Sequence, residues 1–551
     1  MNSRTFLQAV KRNRNGWMAI SLVGVAIVLL PNLYILINLF QRPNENWQHI
    51  REFMLKEYVL QSLWLVLFTG LFTVIIGVTL AWLMTAYDFP GKRLYRWAFV
   101  LPLAIPPYIG AYTYSTMLSY TGAVQKVLRN QFGITLDQKY FDFMSMEGAI
   151  FVFTMFLFPY VYLITKTFLE RQSASYIENA RLLGKGPLQI FFQVVLPLSR
   201  SAIVGGVSLV IFEVLNDFGV TSYFGISTFS TAIFQTWFGM YDLDSAIRLA
   251  AYLMVAVIGL FILEKYLRNR QKFSSSTSKV RPLTPKKMGL IAGGAASLFC
   301  LLIFACSFLI PFVQLIAWAK LSYAHVLNDQ FGQLVSNTLL VSLIATAIVV
   351  FFAVVAANVS RIQQSFFSTI IAKLIAMGYS VPGAVISIGV LAVFISLDKS
   401  LAGLYRGLGL GDQKLVLSLS IVMLIVAYAI RFMAIGFNSV ETGFEKVGKK
   451  YYEASRLLGL GMTRTFFAVD LKMIKGAILS ASILTFVEII KELPLTLLLR
   501  PFNFETLATK TYQYANDEQI IEASIPSLLI IGISMITVLL FHRFGEEKSE
   551  R

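Results

Sequence analysis

The sequence predicts an all-α, polytopic membrane protein of about twelve transmembrane helices in two parallel six-helix repeats. Three observations carry this. Of 551 residues, 56% are hydrophobic and 14% charged, with a mean hydropathy of +0.68. A chain so apolar cannot present a water-solvated surface over most of its length. The apolar residues gather in runs near the ~20 residues that a helix needs to cross the hydrocarbon core. Finally, one moderately polar segment occurs twice: Tyr176 to Ser199, YIENARLLGKGPLQIFFQVVLPLS, aligns without a gap with Tyr451 to Ile474, YYEASRLLGLGMTRTFFAVDLKMI, at an offset of 275 residues. That offset is half the chain, the signature of an internal duplication.

In the first half the apolar runs fall at 17–40, 59–85, 98–118, 148–168, 201–215 and 246–263. In the second they fall at 289–318, 334–357, 369–396, 416–437, 474–490 and 525–542. The first lacks a small-residue cleavage pattern and is too long for a signal-peptide core, so it reads as a retained helix. Pro102, Pro106 and Pro107, with Pro382 equivalent to Pro107, interrupt the third and ninth runs. They read either as tolerated kinks or as breaks beside a cavity where freed carbonyls find partners.

Lys and Arg in the loops set the orientation. Arg4, Lys11, Arg12 and Arg14 precede the first run without an acid, and the stretch 264–288 holds eight basic residues against one acid. Both copies of the repeated segment are basic as well. These segments are expected on the cytoplasmic side, with both termini. The loop 216–245 carries Asp217, Asp242 and Asp244 with no Lys or Arg and is expected outside. The halves are then 1–267 and 289–551, joined by a flexible basic, Ser-rich linker at 268–288. Such a strip also suits anionic lipid headgroups. A net charge of +17 is accounted for by these short loops, and nucleic acid, which needs basic residues gathered on a soluble face, is not an expected partner. Cys300 and Cys306 share one apolar run on different helix faces, which predicts packing and neither a disulfide nor a metal site.

Within each repeated segment, spanning loops 170–199 and 443–474, the residues before the glycines suit a short helix with a Leu-Leu patch. Gly184 and Gly459 stand where a helix ends in a left-handed residue, and Pro187 suits the first turn of the next helix. The prediction is a helix, a sharp turn and a second helix returning to the membrane. Two such corners on one side fit a two-fold partner.

The pattern Glu, x, Ala or Ser, Arg, Leu, Leu, Gly, x, Gly resembles the EAA loop of the permease subunits of binding-protein-dependent ABC importers, whose coupling helix docks on an ATPase. The resemblance assigns ATPase coupling to Glu178, Ala180, Arg181, Gly184 and Gly186 in the first half and to Glu453, Ser455, Arg456, Gly459 and Gly461 in the second. Asn179 takes the first Ala position in one copy and Ser455 the second in the other. The implied partners are two copies of an ABC ATPase and a soluble substrate-binding protein, in a bacterial cytoplasmic membrane. Any ATP and magnesium would belong to the ATPase, because the nearest phosphate-loop pattern here, Gly443 to Lys450, GFEKVGKK, lacks the Ser or Thr and follows an apolar helix. No nucleophile or acid-base pair stands out, so the chain is read as a transporter subunit with no catalytic residues and no cofactor of its own.

The same offset aligns Glu213 with Glu488 and the pair Asn216, Asp217 with Lys491, Glu492. Counted from helix starts near 199 and 474, the two glutamates lie ~15 residues in, roughly 22 Å along the axis. Acids at that depth are costly unless they face water, a cation or a partner, which makes Glu213, Asp217, Glu488, Lys491 and Glu492 pathway candidates; an early helix end would instead leave them in wet loops. The stretch from Lys491 to Glu518, KELPLTLLLRPFNFETLATKTYQYANDE, and the fused architecture look most like the ferric-iron permeases of this family. Thiamine and polyamine permeases share the architecture, and an ion-gradient carrier is the reading from another class. Loops 216–245 and 491–524 are expected to form an outer rim for the binding protein.

Overall fold

The computed structural model describes residues 16–135, 137, 142–170, 172, 174–269, 283–363, 366–378, 381–407 and 415–546. The N-terminal basic cluster and most of the basic linker lie outside these. In the first half the helices are α1 (Gly16–Asn38), α2 (Glu45–Ala86), α3 (Lys92–Ala98), α4 (Pro107–Leu118), α5 (Ala123–Phe132), α6 (Met146–Glu170), α7 (Ser175–Leu182), α8 (Pro187–Asn216), α9 (Gly219–Tyr223), α10 (Phe229–Met240) and α11 (Leu243–Asn269). The second half repeats the plan with α12 (Leu290–Val326), α13 (Asp329–Gln363), α14 (Phe366–Met377), α15 (Gly383–Gly407), α16 (Ile421–Val447), α17 (Lys450–Leu457), α18 (Met462–Ile490), α19 (Pro494–Leu499), α20 (Leu507–Asn516) and α21 (Ser524–Glu546). Ten helices among the described residues are long and apolar enough to cross a membrane, and the apolar part of α21, Ser524–Leu540, is a shorter further one.

Each half is centred on three mutually packed long helices, α2 with α6 and α8 in the first and α13 with α16 and α18 in the second. Glycine permits the closest crossing: a Cβ on Gly443 of α16 would sit 2.3 Å from the Ala477 Cβ of α18. Gly443 is thus a packing residue inside a helix, where a phosphate loop cannot form.

The first helix of each half is exchanged. α1 packs on α13, α14 and α15 of the second half, and α12 packs on α3, α4 and α6 of the first as well as on α21. Trp17 at the start of α1 donates its indole N–H to Thr463 Oγ1 at 3.2 Å and sets its ring edge-on to Phe466, centroids 4.7 Å apart. Reciprocally, Tyr95 of α3 donates to the Ser297 carbonyl at 3.1 Å. α1 also packs on α11 of its own half and α12 most extensively on α21 of its own, so each first helix bridges both halves and the repeats are interlocked. The linker's far end, Lys286–Lys287, bridges in parallel to Tyr87–Asp88. Cys300 is buried and Cys306 half-buried, and both are free thiols.

Three sequence expectations need correction. The fifth and eleventh crossings start at Pro187 and Met462 and continue through one π-helical turn each, Phe191–Val195 and Phe466–Asp470, so they are 30 and 29 residues long rather than short. Their polar first turns hid them from a search for apolar runs. The run 98–118 is not one helix: a 3-10 turn, Leu101–Ala104, separates α3 from α4, which begins at Pro107, and the equivalent break comes before Gly383. The prolines therefore stand at helix starts, Pro106 and Pro107 opening α4 and Pro382 directly preceding α15, instead of kinking a continuous helix. Finally, 216–245 and 491–524 are open only in part. Val220, Thr221, Ile233, Leu495, Thr496 and Leu499 in these segments are buried, and exposure is confined to tips such as Tyr241 and Phe502.

Candidate coupling loops and central cavity

The repeated segments fold alike. α7 and α17 are eight-residue helices, each ended by a left-handed glycine, Gly184 at φ +74° and Gly459 at φ +83°. The Gly184 N–H bonds the Arg181 carbonyl at 3.0 Å and the Lys185 N–H bonds the Ala180 carbonyl at 3.1 Å. Gly459 to Arg456 at 3.0 Å and Leu460 to Ser455 at 3.3 Å repeat this. Such paired bonds satisfy the last carbonyls and turn the chain sharply. Gly186 and Gly461 then cap α8 and α18, with Pro187 in the first turn as its fixed φ favours.

Ala180 and Ser455 point inward and are buried; Ser455 shares a hydrogen bond with Thr465 at 3.1 Å. Arg181, Glu453 and Arg456 are exposed and Glu178 is half-buried. Arg456 donates to the Leu460 carbonyl at 2.8 Å, bracing the second turn. The corners themselves are bare leucine: Leu182 and Leu183 are 84% and 79% exposed, Leu457 and Leu458 89% and 84%. Side chains this apolar and this exposed on polar loops mark a contact surface. Six long helices separate the two loops, which places both at one end of the bundle.

Between the halves lies a cavity of about 90 Å³. Glu213 and Asp217 line it from the first half; Arg431, Glu488, Lys491 and Glu492 line it from the second; Pro106 and Pro107 at the α4 break also border it. The acids thus sit in the wall of a cavity and not in open loops. All five predicted pathway residues meet here. Two of them also brace the local fold. Asp217 Oδ1 accepts from the Val220 and Thr221 amides at 2.8 and 3.4 Å, and Glu492 Oε1 accepts from Leu495 N at 3.2 Å. At equivalent positions, therefore, one oxygen of each accepts from first-turn amides of the short helix that follows. Lys491 Nζ lies 2.7 Å from Glu488 Oε1.

Sequence reasoning missed Arg431. Its Nε lies 3.1 Å from Glu492 Oε2 and its Nη1 donates to the Val381 carbonyl at 3.3 Å. The signal was available, since Arg431 is the single charge inside the apolar run 416–437. Asn216 was also passed over; its Oδ1 accepts the Gly383 amide at the start of α15, tying the two halves together. With four carboxylates against two cations, the cavity wall is net acidic and favours a cation over an anion. No cluster of three or more His, Cys, Asp or Glu placed to hold a metal ion occurs among the described residues.

The profile of the family "Binding-protein-dependent transport system inner membrane component" matches residues 73–271 and again 349–546. The chain is similar to the "Fe(3+)-transport system permease protein FbpB 2" of Haemophilus influenzae, 25% identical over 479 residues, 85% of this chain and 86% of the relative. It is also similar to the "Molybdenum transport system permease protein ModB" of Escherichia coli, 32% identical over 154 residues, 28% of this chain and 65% of the relative. The "Sulfate transport system permease protein CysW" of Escherichia coli is 27% identical over 206 residues, 36% of this chain and 67% of the relative. Two profile matches, one per half, each containing its exposed corner, settle the affiliation: the chain belongs to the family of binding-protein-dependent transport system inner membrane components.

Proposed function

We propose that this chain is the fused two-half channel of an ATP-driven importer for ferric iron. The observation that carries the cargo assignment is the span of the likeness. The Fe(3+) permease relative matches through both halves, 85% of this chain and 86% of its own length, while the molybdenum and sulfate relatives are shorter chains, matched over 65% and 67% of their own lengths. The acid-rich cavity wall supports the same reading, because a hard, highly charged cation favours oxygen ligands and an oxyanion would meet carboxylates.

In this reading halves 1–267 and 289–551, joined by the linker 268–288, sit in the cytoplasmic membrane with both termini and both leucine corners inside. Two ATPase subunits, which carry the ATP and magnesium, hold α7 and α17 through Glu178, Ala180, Arg181, Gly184 and Gly186 and through Glu453, Ser455, Arg456, Gly459 and Gly461. A soluble binding protein delivers the cargo at the opposite face, where Tyr241 and Phe502 are exposed. Closure of the ATPases moves the halves between inward-open and outward-open arrangements. Glu213 and Glu488 supply carboxylate oxygens along the path, and Lys491 and Arg431 neutralise neighbouring acids while the path is empty.

The cargo is tested in proteoliposomes holding the chain and its ATPase, supplied in turn with ferric iron, molybdate and sulfate and with the corresponding binding proteins. Accumulation of ferric iron alone supports the assignment. Accumulation of either oxyanion in its place overturns it.

A further inference from the structure

The two corners look alike from outside but are fastened to the membrane helices by different chemistry. Under α7 the anchoring residues are Ala86, Leu169, Ile177, Ala180, Ile190 and Val195, all buried in one apolar cluster. Under α17 the equivalent positions, each 275 residues later, are Arg361, Phe444, Tyr452, Ser455, Thr465 and Asp470. Polar or aromatic side chains have replaced aliphatic ones at all six.

Their geometry is specific. Arg361 Nη2 at the end of α13 lies 2.7 Å from Asp470 Oδ2 at the base of α18, with the side chains 7% and 0% exposed. The guanidinium also lies over the Phe444 ring of α16 at 4.2 Å and over the Tyr452 ring of α17 itself at 5.5 Å. One cation therefore touches four helices: its own, the coupling helix and both neighbours in the core of the half. Nε and Nη1 of Arg361 and both carboxylate oxygens of Asp470 make no hydrogen bond among the described residues, the 2.7 Å approach being a charge contact, and Nη2 also donates to Asn358 Oδ1 at 3.5 Å.

A buried ion pair with polar atoms left over is a poor device for stability, since the lost hydration of both charges offsets their attraction. The aliphatic set in the first half shows that this fold needs no charge at that place. An incompletely satisfied pair suits a contact that opens and hydrates in another state, because water then satisfies the atoms left over. Aliphatic packing is non-directional and gains nothing from water, so it stays closed.

Building on the coupling role proposed above, we propose that Arg361 and Asp470 form a switchable latch: closed in this conformation, it opens when the ATPases move, so that α17 shifts against its membrane half while α7 moves with its half as one body. Both are positioning residues, acting on the transport cycle through α17 without touching cargo or nucleotide.

The test is a variant that carries the first half's residues, Arg361→Ala with Asp470→Val, in the full chain assembled with its ATPase. Its thermal stability and ATPase co-purification should equal or exceed those of the parent, and its basal ATP hydrolysis should be unchanged. Stimulation of hydrolysis by the loaded binding protein should fall about tenfold, the size of a typical coupling free energy. Spin labels on Tyr451→Cys of α17 and an exposed position of α13, Leu340→Cys, should report an ATP-dependent distance change that the variant loses. A comparable first-half pair, Tyr176→Cys and Leu63→Cys, should report none in either protein. Full stimulation with an unchanged distance response in the variant overturns the latch. An equal ATP-dependent change in both halves of the parent also overturns it. The coupling role has its own readout: if deleting the α17 corner leaves ATPase co-purification intact, that role fails, whatever the latch does.

Discussion

Arg431 on α16 and Glu492 at the entrance to α19 form a buried pair at 3.1 Å for which the first half has no equivalent, because Phe156 stands where Arg431 does. The acids of the cavity are duplicated between halves, Glu213 with Glu488 and Asp217 with Glu492, whereas both cations come from the second half alone. Removing one partner strands the other charge. Arg431→Met or Glu492→Gln should each destabilise the chain by about 3–5 kcal/mol, and the double variant by clearly less than their sum. Thermal unfolding in detergent measures this, and strict additivity would show the pair to be uncoupled.

Gly184 and Gly459 adopt left-handed φ in open space, where a Cβ would meet nothing within 4 Å. Replacement by valine should therefore act through the backbone alone, at about 1–2 kcal/mol per site. It should distort the corners and lower ATPase retention while the transmembrane core keeps its melting point. Gly186 and Gly461, at φ −73° and −68°, should accept alanine with little change. Equal sensitivity at all four glycines in a pull-down would show that the left-handed turns do not shape the docking surface.

The leucine corners separate docking from folding. Leu182 and Leu183, with Leu457 and Leu458, are almost fully exposed, so Leu→Glu at these positions should leave chain stability within about 0.5 kcal/mol. Co-purification of the ATPase should nevertheless be lost, most completely when both corners are changed. Retained ATPase would place the docking surface elsewhere.

Asp242, between α10 and α11, offers a pH-dependent check outside the spanning helices. Burial pushes its carboxyl up, but hydrogen bonds from Ser245, Asn44 and Asn46 outweigh this and hold it below the ordinary carboxylate value. A depressed folded-state value contributes stability that is present above the unfolded carboxylate value and lost as pH falls through the folded one. Asp242→Asn should hence lower the melting temperature near neutrality, with the gap to the parent closing below about pH 4. A gap that is constant down to strong acid would mean that the contacts act without the charge.

The duplication, the glycine turns, Pro187 and the apolar runs were legible because each is a local pattern with a fixed period or a backbone requirement. The exchange of α1 and α12 was not, since the surface covering Val25 or Cys300 belongs to helices hundreds of residues away and leaves no mark on periodicity. α9 and α19 escaped for a different reason: at five and six residues they are shorter than any periodic signal, and only the acids that accept from their first-turn amides, Asp217 and Glu492, betray them. Those same acids also line the cavity, and a sequence does not show that one carboxylate does both. The latch between Arg361 and Asp470 stayed hidden because 109 residues (470 minus 361) separate its two charges, and neither alone departs from what a helix end or a basic loop carries.

Whether the two corners couple this channel to an ATPase is decided by ferric iron uptake into proteoliposomes containing the chain, its ATPase and the loaded binding protein, with ATP and an uncoupler varied independently. Uptake is expected to need ATP, to survive the uncoupler and to disappear when Leu182, Leu183, Leu457 and Leu458 are replaced by glutamate. Uptake that continues without ATP and stops with the uncoupler would make the chain a gradient-driven carrier and remove the corners' role.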